Sequence, residues 1–196
     1  MRPLPAVFYD RPVVAVARDL VGCTFLFRGV GGRIVETEAY ANDDPCCHGF
    51  RGKTARNAVM FGPPGHLYVY LTYGMHFCVN IVCEAPGRAA AVLLRALEPQ
   101  AGVELMGERR GRADAKLLCS GPARLTQALA IGRAENGLPA WRQPAVVLPR
   151  DAAPAAAGGQ PSPRIIATPR VGVGDDRAPW RFVDADSGFL SRRLRT

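Results

Sequence analysis

Between residues 67 and 81 the chain alternates so regularly that one local structure, a β-hairpin, accounts for it. The odd positions are Leu67, Val69, Leu71, Tyr73, Met75, Phe77, Val79 and Ile81, almost a solid apolar face. The even positions are Tyr68, Tyr70, Thr72, Gly74, His76, Cys78 and Asn80. Side chains of a strand point alternately to its two faces, so this period marks strands with one face on a core. Gly74 marks the turn, because glycine adopts positive φ at little steric cost. The alternation keeps its phase across the turn, which requires an odd number of loop residues; an even loop would exchange the faces. Tyr73 then falls near the apex, where a large ring has little to pack on, and becomes a candidate wedge for a base stack.

Composition narrows the partner without naming it. The chain has 196 residues, 48% of them apolar and 21% charged, which suits one folded domain over residues 1–196. Its net charge is +8, carried almost wholly by arginine, with Lys53 and Lys116 the only lysines. Arginine suits bidentate contact with phosphate, although arginine-favouring codon usage produces the same excess. The six cysteines form no CxxC pair, so reduced thiols are the simplest reading. The N-terminus has no signal-peptide pattern and no apolar stretch is long enough for a bilayer, so the expected location is cytoplasmic or, in a eukaryote, nuclear, and not secreted.

The patterning predicts an α+β fold: a curved antiparallel sheet core, flanking helices and a protruding hairpin. Strands are predicted at 23–28, 33–38, 67–71, 76–82 and 90–96. Helices are predicted over 13–20, behind Pro12, over 102–110, and from Ser120-Gly-Pro122 to near Gly132, with Ser120 as N-cap. Residues 165–182 have strand and turn character. Residues 151–163 are low-complexity and predict an exposed loop. The polar stretch 41–66 is long for a connection, and such loops tend to be functional or mobile.

A second chemical signal is Arg33-Ile-Val-Glu-Thr-Glu-Ala-Tyr40. On a strand, Ile34, Glu36, Glu38 and Tyr40 share a face. Two carboxylates there repel unless one is solvated or has a special task. The plainer reading is an edge strand with a solvated acidic face; the functional one makes a glutamate a general base at a pocket mouth, with Tyr40 as its wall. His48 follows Cys46 and Cys47, but no set of three or four converging ligands accompanies it, so no metal is expected. Arg51, Lys53 and Arg56 lie close to this loop without completing a GxxxxGK[ST] motif, which argues against nucleoside triphosphate hydrolysis and leaves them as DNA-backbone candidates. Ser120 and Gly121, at a helix start, are further candidates for a DNA phosphate.

Five segments in order resemble the alkyladenine (3-methyladenine) DNA glycosylases: Arg33–Tyr40, Pro64–Asn80, Val92–Pro99, Ser120–Leu129 and Arg170–Gly174. The resemblance spans nearly the whole chain. It implies a monomeric, monofunctional enzyme that flips alkylated or deaminated purines from double-stranded DNA and hydrolyses the N-glycosidic bond, with no cofactor. It implies that Glu38 activates the water and that Arg95 lies near that water and the DNA backbone. Tyr40, His48 and Tyr70 would wall the base pocket, Asn80 would lie at its floor, and Tyr73 would fill the vacated stack. The chain departs from the family pattern at His76, where a tyrosine or phenylalanine is usual, and in the loop before His48, which is one residue shorter. With no catalytic-lysine motif, strand cleavage through a Schiff base is not expected. Two rivals remain from the residues alone: a non-catalytic nucleic-acid module, and a nucleosidase acting on free nucleosides.

Overall fold

The structure, a computed structural model, describes residues 2–150, 162–174 and 177–194. It begins with two short helices, α1 (Ala6–Tyr9) and α2 (Val13–Leu20). Strands β1 (Thr24–Phe27), β2 (Val30–Tyr40), β3 (Leu67–Thr72), β4 (His76–Val82) and β5 (Ala91–Ala101) follow. Then come helices α3 (Val103–Arg110) and α4 (Pro122–Leu129), and strands β6 (Trp141–Arg142), β7 (Ala145–Leu148), β8 (Ile165–Thr168) and β9 (Arg181–Asp184). The pairings are antiparallel, in the order β3-β4-β5-β2-β1-β7-β6, with β9 joining β2 and β8. The α+β fold with a curved antiparallel sheet is the expected one. Most of the loop predicted at 151–163 lies outside the described residues.

The hairpin has the predicted phase. Thr72 pairs with His76 and Leu67 with Ile81, leaving the three-residue loop Tyr73-Gly74-Met75. Gly74 has φ +71°, the left-handed conformation its position requires. Both faces of the hairpin base are used, however. Leu67, Val69, Val79 and Ile81 join the main core, while Tyr68 belongs to a second cluster with Cys47, Met60, Val82, Ala89 and Ala91. That second cluster underlies the candidate site.

Helix α2 forms where predicted and buries Val13, Val16, Ala17 and Leu20. The Thr37 hydroxyl donates to the Ala17 carbonyl at 2.8 Å, tying α2 to β2. Helix α4 buries Leu125, Thr126, Ala128 and Leu129, and the Thr126 hydroxyl donates to the Phe77 carbonyl at 2.8 Å. The predicted cap of α4 is displaced. Gly121 is the N-cap residue and Pro122 starts the helix, because Ser120 is committed to a β-bridge with Ala96 and its hydroxyl accepts from Arg124 at 3.0 Å. The helix ends at Leu129, where Ala130 turns left-handed, rather than near Gly132.

Strand β2 is not the edge strand that the plainer reading of its acidic face requires. It lies between β5 and, on its other side, β1 and β9, and Glu36 and Glu38 are both fully buried. Nor does Ile34 share their surroundings. The β2–β5 register shifts between Ile34 and Glu36, and Ile34 packs in the main core. Another shift lies between Gly31 and Gly32, where the strands approach so closely that a Cβ on Gly32 would stand 1.9 Å from the Glu98 carbonyl oxygen.

Candidate active site

The β2–β5 pairing shifts again between Glu36 and Thr37, opposite Ala96 and Leu94, so Arg95 has no direct partner on β2. A bulge of this kind bends a strand and re-aims a side chain. Here the Arg95 guanidinium reaches both glutamates: Nε donates to Glu36 Oε1 at 3.0 Å and Nη1 to Glu38 Oε2 at 3.2 Å. Burial works against its charge, but Glu38 and then Glu36 more than offset this and raise its pKa. Glu36 experiences the converse. Burial pushes its carboxyl up, and Arg181 and Arg95 outweigh that, holding it below the ordinary value near 4.5.

Among the described residues, three donors meet Glu38. The Tyr40 hydroxyl donates to Oε2 at 2.9 Å alongside Arg95, and the Val171 backbone N–H donates to Oε1 at 2.7 Å. The Tyr40 phenol keeps its proton, since burial and the adjacent Glu38 raise its pKa well above the ordinary value.

In front of Tyr40 lies a cleft enclosing about 100 Å³, lined by Tyr40, Cys46, His48, Met60, Tyr68, Tyr70, Asn80 and Val173. All four residues expected to form the base pocket, Tyr40, His48, Tyr70 and Asn80, therefore converge. Glu38 does not line the cleft directly; it stands behind the Tyr40 hydroxyl. The His48 ring meets Tyr70 edge-on at 4.5 Å between centroids, and its Nδ1 lies 3.0 Å from the Tyr68 hydroxyl. Burial, then the positive Arg56, lowers the His48 pKa and favours the neutral imidazole. The Asn80 amide nitrogen donates to the Tyr68 carbonyl at 3.0 Å.

The loop carrying His48 is shaped by Asn57. Its Nδ2 donates to the carbonyls of His48 at 2.8 Å and Gly52 at 3.0 Å, while its Oδ1 accepts from the Thr54 N–H at 2.6 Å. Arg51, Lys53 and Arg56 are exposed around this loop, and Arg56 also donates to the Leu71 carbonyl at 3.1 Å, beside the hairpin. Tyr73 stands 90% exposed at the hairpin tip. Ser120 is buried with its hydroxyl accepting from Arg124, the Gly121 N–H is engaged by the Cys119 carbonyl, and neither residue lines the cleft.

Several residues escape the sequence reading. Tyr68, taken there only as a strand residue, stacks on Tyr70 at 5.4 Å and completes the aromatic wall. Arg170 has its side chain fully buried, pairs with Asp44 through both guanidinium ends, and places its guanidinium 4.7 Å from the centre of the Tyr40 ring. The Arg170–Gly174 match was the available signal for this segment, but nothing in it names Asp44 as a partner. Among the described residues no three His, Cys, Asp or Glu side chains gather as a metal-ligand group, and no helix is long and apolar enough to cross a membrane.

Comparisons with known proteins identify the family. The family model for methylpurine-DNA glycosylase (MPG) matches residues 7–188. A Rhodopseudomonas palustris protein named "Putative 3-methyladenine DNA glycosylase" is 52% identical over 190 residues, covering 96% of this chain and 90% of that protein. Proteins of the same name from Nitrosospira multiformis and Rhizobium meliloti are 47% and 50% identical, each alignment covering 95% of the relative. With a family model matched over residues 7–188 and relatives about 50% identical over nearly the whole chain, the chain belongs to the methylpurine-DNA glycosylase family of DNA-repair enzymes.

Proposed function

We propose that this chain extrudes a damaged purine from duplex DNA into the Tyr40–His48–Tyr70 cleft and hydrolyses its N-glycosidic bond with Glu38 as general base. The observation that carries the reading is the hydrogen bond from the cleft-lining Tyr40 to the buried Glu38. A carboxylate offers about four acceptor positions, and three are occupied here. In this reading the remaining one, on Oε1, accepts from the attacking water. That water gives a proton to Glu38 as its oxygen bonds to the sugar C1′, while the C1′–N bond breaks and its electrons leave with the base. Alkylation at N3 or N7 makes the purine cationic, so it departs neutral and needs no acid.

The surroundings favour such a base. The electron-rich face of Tyr70 would attract a cation by roughly 0.5–2 kcal/mol; the Tyr40 ring already carries Arg170, whose charge Asp44 balances, and a neutral His48 adds no repulsion. Extrusion costs a few kcal/mol, least for a damaged pair. Tyr73, projecting from the hairpin, would occupy the vacated stack and slow the base's return. Arg51, Lys53 and Arg56 would meet backbone phosphates at the cleft's rim.

The test is base release from duplexes carrying 3-methyladenine, 7-methylguanine, hypoxanthine or ethenoadenine, followed through single turnover with wild type and Glu38→Gln. Wild type should release at least one alkylated base and leave the strand uncut, and Glu38→Gln should lose about 10²–10⁴-fold in rate while still binding lesion DNA. Full turnover by Glu38→Gln would remove Glu38 from the reaction.

A further inference from the structure

Each nitrogen of the Arg95 guanidinium has its own partner. Nε donates to Glu36, Nη1 to Glu38, and Nη2 to the Ser191 hydroxyl at 3.2 Å. A guanidinium is planar, so three contacts in three directions fix both its position and the tilt of its plane. The Glu38 contact, at 3.2 Å, depends on the other two holding their places.

Ser191 lies 155 residues from Glu36 in the chain, near the end of the described segment, and meets that carboxylate twice. Its backbone N–H donates to Glu36 Oε2 at 2.6 Å and its hydroxyl to Oε1 at 2.7 Å. The same hydroxyl oxygen accepts from Arg95, so it bridges the arginine and the glutamate behind it. Arg181 secures the segment, with Nε on Glu36 Oε1 at 2.7 Å and Nη2 on the Arg192 carbonyl at 3.0 Å. Neither Ser191 nor Glu36 lines the cleft.

We propose that Ser191 and Glu36 form a positioning pair: the C-terminal segment closes over the back of the site and holds the Arg95 guanidinium against Glu38. The inference rests on Glu38 being the general base. Its physical basis is that a small misplacement of a group near the reacting atoms lowers the rate steeply, even when binding is intact. Without the Ser191 hydroxyl, Nη2 loses its acceptor and the guanidinium plane is free to turn away from Glu38. The backbone N–H of residue 191 would still hold the segment on Glu36.

Single-turnover base release from 3-methyladenine duplexes tests this with Ser191→Ala, Ser191→Thr and Glu38→Gln side by side. Ser191→Ala should slow release roughly five- to tenfold, the order expected from one buried hydrogen bond. Lesion-DNA affinity should stay at the wild-type value, the melting temperature should fall by only a few degrees as two buried hydrogen bonds are lost, and Ser191→Thr should recover most of the rate. A wild-type rate in Ser191→Ala beside an inactive Glu38→Gln would overturn the positioning role alone. So would a slow Ser191→Ala whose melting temperature Thr restores but whose rate it does not, since the hydroxyl would then serve the fold alone. An active Glu38→Gln would instead overturn the reading of the base itself.

Discussion

The hydroxyl of Tyr40 donates to Glu38 Oε2 at 2.9 Å, so one side chain both walls the cleft and touches the carboxylate behind it. The two residues are neighbours on one face of β2, and the tyrosine is the only direct link from the cleft's lining to Glu38 through a side chain among the contacts described. Tyr40→Phe separates its two roles, because the ring remains and the donor is lost. A hydrogen bond to a charged group is worth about 1.5–3 kcal/mol, so base release should slow about 10- to 100-fold with lesion binding little changed. Stopped-flow or quenched single-turnover assays on both proteins measure it; an unchanged rate would mean that the hydroxyl contributes nothing to the chemistry.

Tyr73→Ser should weaken capture of lesion-containing duplex without affecting the fold. The ring is 90% exposed, and substitutions at such positions usually shift stability by no more than about 0.5 kcal/mol. Comparing lesion and undamaged duplexes by equilibrium binding, beside a thermal melt, separates the possibilities. A large drop in melting temperature would show that the ring packs as core.

Arg56 offers a direct measure of the electrostatic share of binding. It is exposed beside the hairpin, and a phosphate contact releases a counterion for each charge neutralised. Arg56→Ala should lower the slope of log affinity against log salt by about 1 and weaken damaged and undamaged duplexes alike. An unchanged slope would place Arg56 away from the backbone.

Glu36 predicts a pH dependence of stability. Its folded carboxyl is held below 4.5 because Arg181 and Arg95 outweigh burial. As pH falls, the unfolded chain takes up this proton first, so the group's contribution is complete above about pH 4.5. It is then lost as pH falls through the lower folded value. Melting temperature should therefore decline more steeply below that point in wild type than in Glu36→Gln, which should already be less stable at neutral pH. Parallel acid limbs for the two proteins would contradict the ion-pair account.

Legibility followed sequence distance. The hairpin, the odd parity of its loop and the exposed Tyr73 could be read because a strand's two-residue period and a turn's parity are local rules, while the loop's length of three came from the structure. β6 and β7 were missed because a run as short as Ala145–Leu148 has no period to detect. The face shared by Glu36 and Glu38 was also legible, but its surroundings were not. Whether two carboxylates are solvated or buried depends on which strands flank them, and here β5 and β9 bring Arg95 and Arg181 against them.

By itself, then, the sequence determined the phase of the hairpin, the side of β2 that carries the carboxylates, and, through its resemblance, the residues that would meet in one cleft. Only the tertiary structure decided what orders that cleft. Arg170 reaches Asp44 across 126 residues, the Val171 N–H reaches Glu38 across 133, and Ser191 reaches Glu36 across 155. Such partners leave no periodic trace, because an ion pair or a backbone hydrogen bond needs proximity in space and places no constraint on spacing along the chain.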